Sequence, residues 1–271
     1  MSPIDKHHTE FRWLDVSQIE VDRRYQRARK EKWIKRISEN IDLDALGVPH
    51  VSERSNGRYF AIDGQQRMAA LKLRPDVKQH VRCKLYAGLT VAEEAELFRL
   101  LNDDTGLRYI DRFRPRLVEG DPDAVAIGDI VCKCGFRIGE GTVPGAITAV
   151  QALEQVYLGW RARTRGGKHP DALRWTLETI REAWGTDPAG LRGEIIKSLG
   201  LIFLRDGISV DRRNLVKKLA LAAGGAMTIV GRARGILNGR PGSRIADATA
   251  EVIVNLYNKG RRSNKIEDWR S

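Results

Sequence analysis

The chain has 271 residues, more than the roughly 100–200 of a typical domain, and its 42% hydrophobic and 30% charged composition excludes a wholly disordered or fibrous protein and predicts two domains. No window approaches about 18 consecutive apolar residues, MSPIDKHHTEFRW carries no apolar signal stretch, and Cys83, Cys132 and Cys134 are too few for a disulfide framework. Membrane-spanning and secreted classes are therefore set aside and a reducing cytoplasm is expected. Against 35 Asp and Glu stand 47 Lys and Arg, a net charge of +12 that favours polyanionic partners through counterion release.

The first part of the chain reads as mixed α/β. FRWLDVSQIEV alternates apolar and polar residues, as one half-buried strand would. Trp33, Ile34, Ile37 and Ile41 recur at helical spacing and predict a helix over 30–41. VPHVSERSNGRYFAID reads as two strands turning at Ser55-Asn56-Gly57. GQQRMAALKL then turns into a helix and VRCKLYAGL is a further strand. Thr90, with Glu93 three residues on, is a capping box opening the helix TVAEEAELFRLLND. Beyond about Arg116 only helical spacing is found, from DAVAIGDIVCKCG and AITAVQALEQVYLGW through to RIADATAEVIVNLYN. The expected organisation is an α/β domain over 1–116, an all-helical domain over 120–258 and a basic tail over 259–271.

Charge is clustered. Arg23, Arg24, Arg27, Arg29, Lys30, Lys32, Lys35 and Arg36 share their stretch with one acid, Glu31. Arg161–Lys168 and Arg232–Arg244 hold four basic residues each and no acid, and the tail adds Lys259, Arg261, Arg262, Lys265 and Arg270. Separated clusters with few compensating acids suit a surface that tracks phosphates. Ile195–Phe203, Arg205–Val210 and Asp211–Ala220 read as a helix–turn–helix whose second helix presents Arg212, Arg213, Lys217 and Lys218 to double-stranded DNA. The alternative is two bundle helices with a solvated basic face. Trp160, Trp175, Trp184 and Trp269 are expected to pack rather than to stack on bases.

The segment Tyr59-Phe-Ala-Ile-Asp63-Gly64-Gln65-Gln66-Arg67 is the richest in chemistry. A buried strand reaches a glycine that permits close backbone approach, and a helix begins at once with unpaired amides of positive dipole character. Gln65 and Gln66 add side-chain donors, and Arg67 has the planar fork that clamps phosphate. AIDGQQRMAAL resembles the strand–G-x-x-R–helix hallmark of the ParB/sulfiredoxin superfamily, in particular its phage and mobile-element members. The box Val21-Asp-Arg-Arg-Tyr25-Gln26-Arg27, the hairpin Val51–Tyr59 and the acidic helix ending at Leu101-Asn102 extend the resemblance over about residues 10–115.

The resemblance implies a ParB/sulfiredoxin-like α/β fold and a regulatory or partition-like DNA-binding protein. It further implies a nucleoside triphosphate such as CTP or ATP as ligand, double-stranded DNA as partner and a homodimer. Gly64, Gln65, Gln66, Arg67 and Asn102 would hold phosphate, of nucleotide or of DNA backbone, and Arg23, Arg24, Gln26 and Arg27 would contact DNA. The superfamily's nuclease label implies an alternative, a nuclease or nucleotide hydrolase with Asp63 and Arg67 at the reacting centre. The chain departs from ParB where Gln65 and Gln66 replace the Glu and the arginine pair shrinks to Arg67; of the third ParB box only Asn102 is kept. Sulfiredoxin's catalytic cysteine falls at Gln65. No metal site is expected: Cys132-Lys-Cys134 has the wrong spacing, and His7, His8, His50, His80 and His169 are scattered.

Overall fold

The computed structural model describes residues 7–42, 46–102, 107–160, 167–240, 242–267 and 269. The chain divides into two compact units, Met1–Pro122 and Asp123–Ser271. In the first, strands β1 (Thr9–Asp15), β2 (Ile19–Glu20), β3 (His50–Glu53), β4 (Tyr59–Asp63) and β5 (His80–Ala87) form one mixed sheet in the order β1-β5-β3-β4-β2. β5 runs antiparallel to β1 and parallel to β3, while β4 runs antiparallel to β3 and parallel to β2. Helices α1 (Glu31–Glu39), α2 (Gln65–Lys72), α3 (Val91–Leu101) and α4 (Tyr109–Glu119) complete the unit.

The alternation of a strand sorts the core into two layers. Leu14, Val51, Ala61, Val81, Cys83 and Leu85 cluster on one face with Met68 and Leu71 of α2. Ile62 and Tyr86 lie on the other face with Leu97 and Phe98 of α3 and with Tyr25. Cys83 is fully buried and burial pushes its thiol up to about 11, so it is an inert filler.

Three expectations are corrected. FRWLDVSQIEV is not one strand: a 3-10 turn over Val16–Gln18 breaks it, and its two halves pair at opposite edges of the sheet. Asp15 caps that turn, accepting from the Ser17 amide at 2.8 Å, while Gln18 accepts from the Asp15 amide at 3.4 Å. The boundary at 116 falls inside α4, a helix absent from the sequence reading. α4 buries Ile110 and Phe113, carries Pro115 within it, and ties back to α3 through Arg99 and Glu119 at 3.1 Å.

The second unit is not all-helical. Its helices are α5 (Pro122–Lys133), α6 (Val150–Tyr157), α7 (Pro170–Trp184), α8 (Gly193–Asp206), α9 (Arg212–Ala220), α10 (Gly225–Asn238) and α11 (Ile245–Asn258). Between α5 and α6, β6 (Arg137–Ile138) and β7 (Ala146–Ile147) pair in parallel. Two-residue strands carry too little period to be told from a helix start, which is why Ala146-Ile147 reads as part of α6. α8 runs through the middle, and Gly200 admits α6 so closely that a methyl group there would lie 2.4 Å from a Val156 methyl. No helix among the described residues is long and apolar enough to cross a membrane.

Candidate functional site

In the first unit a cavity of about 330 Å³ opens onto the start of α2. Its polar side comes from Gln26, Arg27, Asp63 and the first turn Gly64–Arg67; its apolar side comes from Trp33 and Ile37 of α1, Leu46 and Phe98. Gly64 is the N-cap of α2 in the left-handed region (φ 92°), with no side-chain cap on the helix. A side chain at 64 would be strained there, and its methyl carbon would stand 3.0 Å from Pro49 Cβ. The first cross-turn bond runs from the Met68 amide to the Gly64 carbonyl at 3.0 Å. The amides of Gln65, Gln66 and Arg67 therefore precede the helical ladder and have no acceptor among the described residues. α2 is buried nearly all round, so this turn sits at the wall of the fold rather than on a solvated face.

Two carboxylates and two guanidinium groups border the cavity. Arg67 Nη2 meets Asp63 Oδ2 at 2.7 Å and its Nη1 donates to the Leu46 carbonyl, so both residues are spent on each other and on the loop. Arg27 has no carboxylate partner among the described residues. Asp42 and Asn102 also line the wall; the Asn102 amide donates to the Phe98 carbonyl at 2.8 Å as it closes α3.

The two glutamines do something other than the sequence suggested. Both are buried. Gln65 Nε2 donates to the Arg27 carbonyl at 2.9 Å, and Gln66 Oε1 accepts the Lys30 amide at 3.1 Å, so they fasten the segment before α1 onto α2. They leave their backbone amides, not their side-chain donors, for an anion. Gln65 Oε1 is buried with no hydrogen-bond partner, an unmet acceptor beside the cavity.

The basic box divides in the same way. Gln26, expected on DNA, is 3% exposed and donates to the Ala61 and Ile62 carbonyls at 2.9 and 2.7 Å; it is a rivet to β4. Arg23 and Arg24 are both exposed, and Arg24 is held by Asp22 (Nε–Oδ1 2.9 Å). Arg212 pairs with Glu182 at 2.7 Å and Glu178 at 3.4 Å, which ties α9 to α7. Lys218 Nζ donates to the Lys259 carbonyl at 2.7 Å, while Arg213 and Lys217 remain exposed. Arg161, Arg163, Arg165 and Arg270 of the basic clusters, and the ParB-like box beyond Asn102, lie outside the described residues.

Sequence reasoning missed the buried network behind the cavity. Arg54 Nε meets Glu94 Oε1 at 2.8 Å and its Nη2 meets Asp22 Oδ2 at 2.8 Å, while Tyr25 donates to Glu94 Oε2 at 3.1 Å. Hydrogen bonds from Arg24 and then Arg54 overcome burial and hold the Asp22 carboxyl well below the usual range. Burial and the neighbouring Glu94 push the Tyr25 phenol far up. Among the described residues no three His, Cys, Asp or Glu side chains are grouped as metal ligands would be.

The model of DUF6551, a family of unknown function, matches residues 21–229, more than half of the chain, and the chain belongs to that family. No curated protein and no solved structure matches it.

Proposed function

We propose that this member of the family is a ParB/sulfiredoxin-like, DNA-binding regulator that takes a nucleotide phosphate in the cavity at the start of α2. The observation that carries the reading is the meeting of a concave cavity with an uncapped helix N-terminus whose first three amides are unclaimed. Arg27 supplies the free guanidinium, and Gln65 Oε1 offers an acceptor to an amino or hydroxyl hydrogen of the ligand. Trp33 and Ile37 give a base or sugar an apolar wall. A nucleoside triphosphate such as CTP or ATP has this combination of anion, donors and flat apolar surface. Each unit offers double-stranded DNA exposed basic side chains with no ion-pair partner among the described residues, Arg23 in the first and Arg213 and Lys217 in the second.

Asp63 competes with the ligand for Arg67 and repels a phosphate at the helix start. Calorimetric titration of CTP, ATP, GTP and duplex DNA tests the reading. Arg27→Ala should lower nucleotide affinity about tenfold or more, the loss of one charge-assisted bond of roughly 1.5–3 kcal/mol. Asp63→Asn should raise nucleotide affinity several-fold, because it removes a negative charge and releases Arg67. Binding of no nucleotide, or equal binding by Arg27→Ala, would reject the site.

A further inference from the structure

We propose that the uncovered part of the sheet at β1 and β5 binds a single-stranded nucleic acid by stacking its bases on Phe11 and Trp13. On β1 these two residues share a face, opposite Lys84 and Arg82 of β5 in the antiparallel register. That face bears Ile62 and Tyr86 where α3 covers it, but at the β1 edge Phe11 is 56% and Trp13 59% exposed. Single exposed aromatics are ordinary; two neighbours on one strand, each with its own cation, are not. Arg82 lies 4.6 Å from the Phe11 ring centroid, Lys78 Nζ 4.8 Å from that of Trp13 and Lys84 Nζ 5.3 Å from that of Tyr86.

The charge of this face names the occupant. Glu10 and Glu53 pair with Arg12, which points to the opposite face of β1. Asp15, at the far end, is engaged by the Ser17 amide and His80. The platform is thus positive, and a polyanion complements it. Spacing selects a single strand. Alternate residues of a strand are about 6.8 Å apart, twice the roughly 3.4 Å rise of a duplex strand, so successive bases reach both rings only when unstacked from each other. Stacking a base on an aromatic ring outweighs an exposed cation–π contact, so Lys78 and Arg82 would turn from the rings to the phosphates. The platform is separate from the cavity and stands whether or not that site binds nucleotide.

Fluorescence anisotropy of the full chain with labelled oligothymidylate, oligouridylate and a duplex of equal length tests this. Both single strands should bind this face more tightly than the duplex, and the tighter of the two identifies DNA or RNA as the natural source. Phe11→Ala and Trp13→Ala should each weaken single-strand binding about tenfold with the salt slope unchanged. Arg82→Ala or Lys84→Ala should flatten that slope by about 0.7. Phe11→Tyr and Trp13→Phe, which keep a ring, should keep the affinity. Because the side chains are exposed, the urea midpoints of all variants should match wild type. Equal binding by the ring-less variants, or equal loss of duplex and single strand in them, would overturn the proposal. So would capture by anionic phosphatidylglycerol vesicles, or self-association, that needs the two rings while the oligonucleotides fail to bind.

Discussion

Replacing Gln26 with Glu probes the rivet between the arginine-rich box and β4 at the cost of one functional group. The Gln26 amide gives its hydrogens to two carbonyls at 2.9 and 2.7 Å in a site that is 3% exposed. A carboxylate has no hydrogen to give and would set its charge against both oxygens. The variant keeps one of the two bonds, and only by protonating, which raises its folded pKa above the unfolded value of about 4.3. Holding the acid neutral then costs about 3.7 kcal/mol at pH 7 and about 1 kcal/mol at pH 5, from 1.36 kcal/mol per pH unit. A raised carboxyl pKa means stability lost as pH climbs past the unfolded value, so the deficit against wild type should widen by roughly 2.7 kcal/mol between those two pH values. Urea denaturation of both proteins at each pH reads it, since titrations common to the pair cancel. A deficit under about 1 kcal/mol that does not move with pH would show that the amide–carbonyl link carries no weight.

Other perturbations of the first unit follow the same reasoning. Gly64→Ala forces a methyl group into left-handed backbone beside Pro49; it should lower the urea-derived stability by about 1–2 kcal/mol, and an unchanged midpoint would argue against the turn described. Arg54→Met strands the buried carboxylates of Asp22 and Glu94 and should destabilise by about 3–5 kcal/mol in the same assay. The depressed Asp22 pKa contributes stability above the unfolded value of about 3.9 that is lost as pH falls below it. Arg24→Ala should therefore flatten the acid limb of a midpoint-against-pH curve, and an identical limb would assign the shift elsewhere.

The strand–turn–helix at Tyr59–Lys72 was readable because an apolar run, a glycine and a helical stretch follow one another without a gap, and Thr90 with Glu93 announced α3 equally plainly. The break after Asp15 had a signal, a side-chain acceptor followed three residues on by Gln18, but the apolar alternation spoke louder. α4 was obscured by Pro115, which ordinarily argues against a helix interior, although Ile110 and Phe113 are spaced for one. At the site, residue type was legible and direction was not. Gln65 and Gln66 serve a solvent anion or an inner carbonyl equally well, and the choice is made by the Arg27–Lys30 segment some forty residues earlier. The resemblance of the Val21–Arg27 box implies a DNA contact at Gln26; only the sheet shows that Tyr25 and Gln26 turn inward while Arg23 and Arg24 turn out.

The order of the strands also sets a schedule for the nascent chain. Within the sheet β1 is synthesised before the other strands, yet its partner throughout, from Thr9 with Tyr86 to Asp15 with His80, is the last strand of the sheet. At roughly 5–20 residues per second, the interval between making Asp15 and Ala87 is about 4–14 s. During it, Phe11, Trp13 and Leu14 leave the ribosome with no strand to join, and the core that Leu14 enters with Val81 cannot close. The strand left open to a chaperone over that interval is therefore β1, and it is released only when β5 arrives.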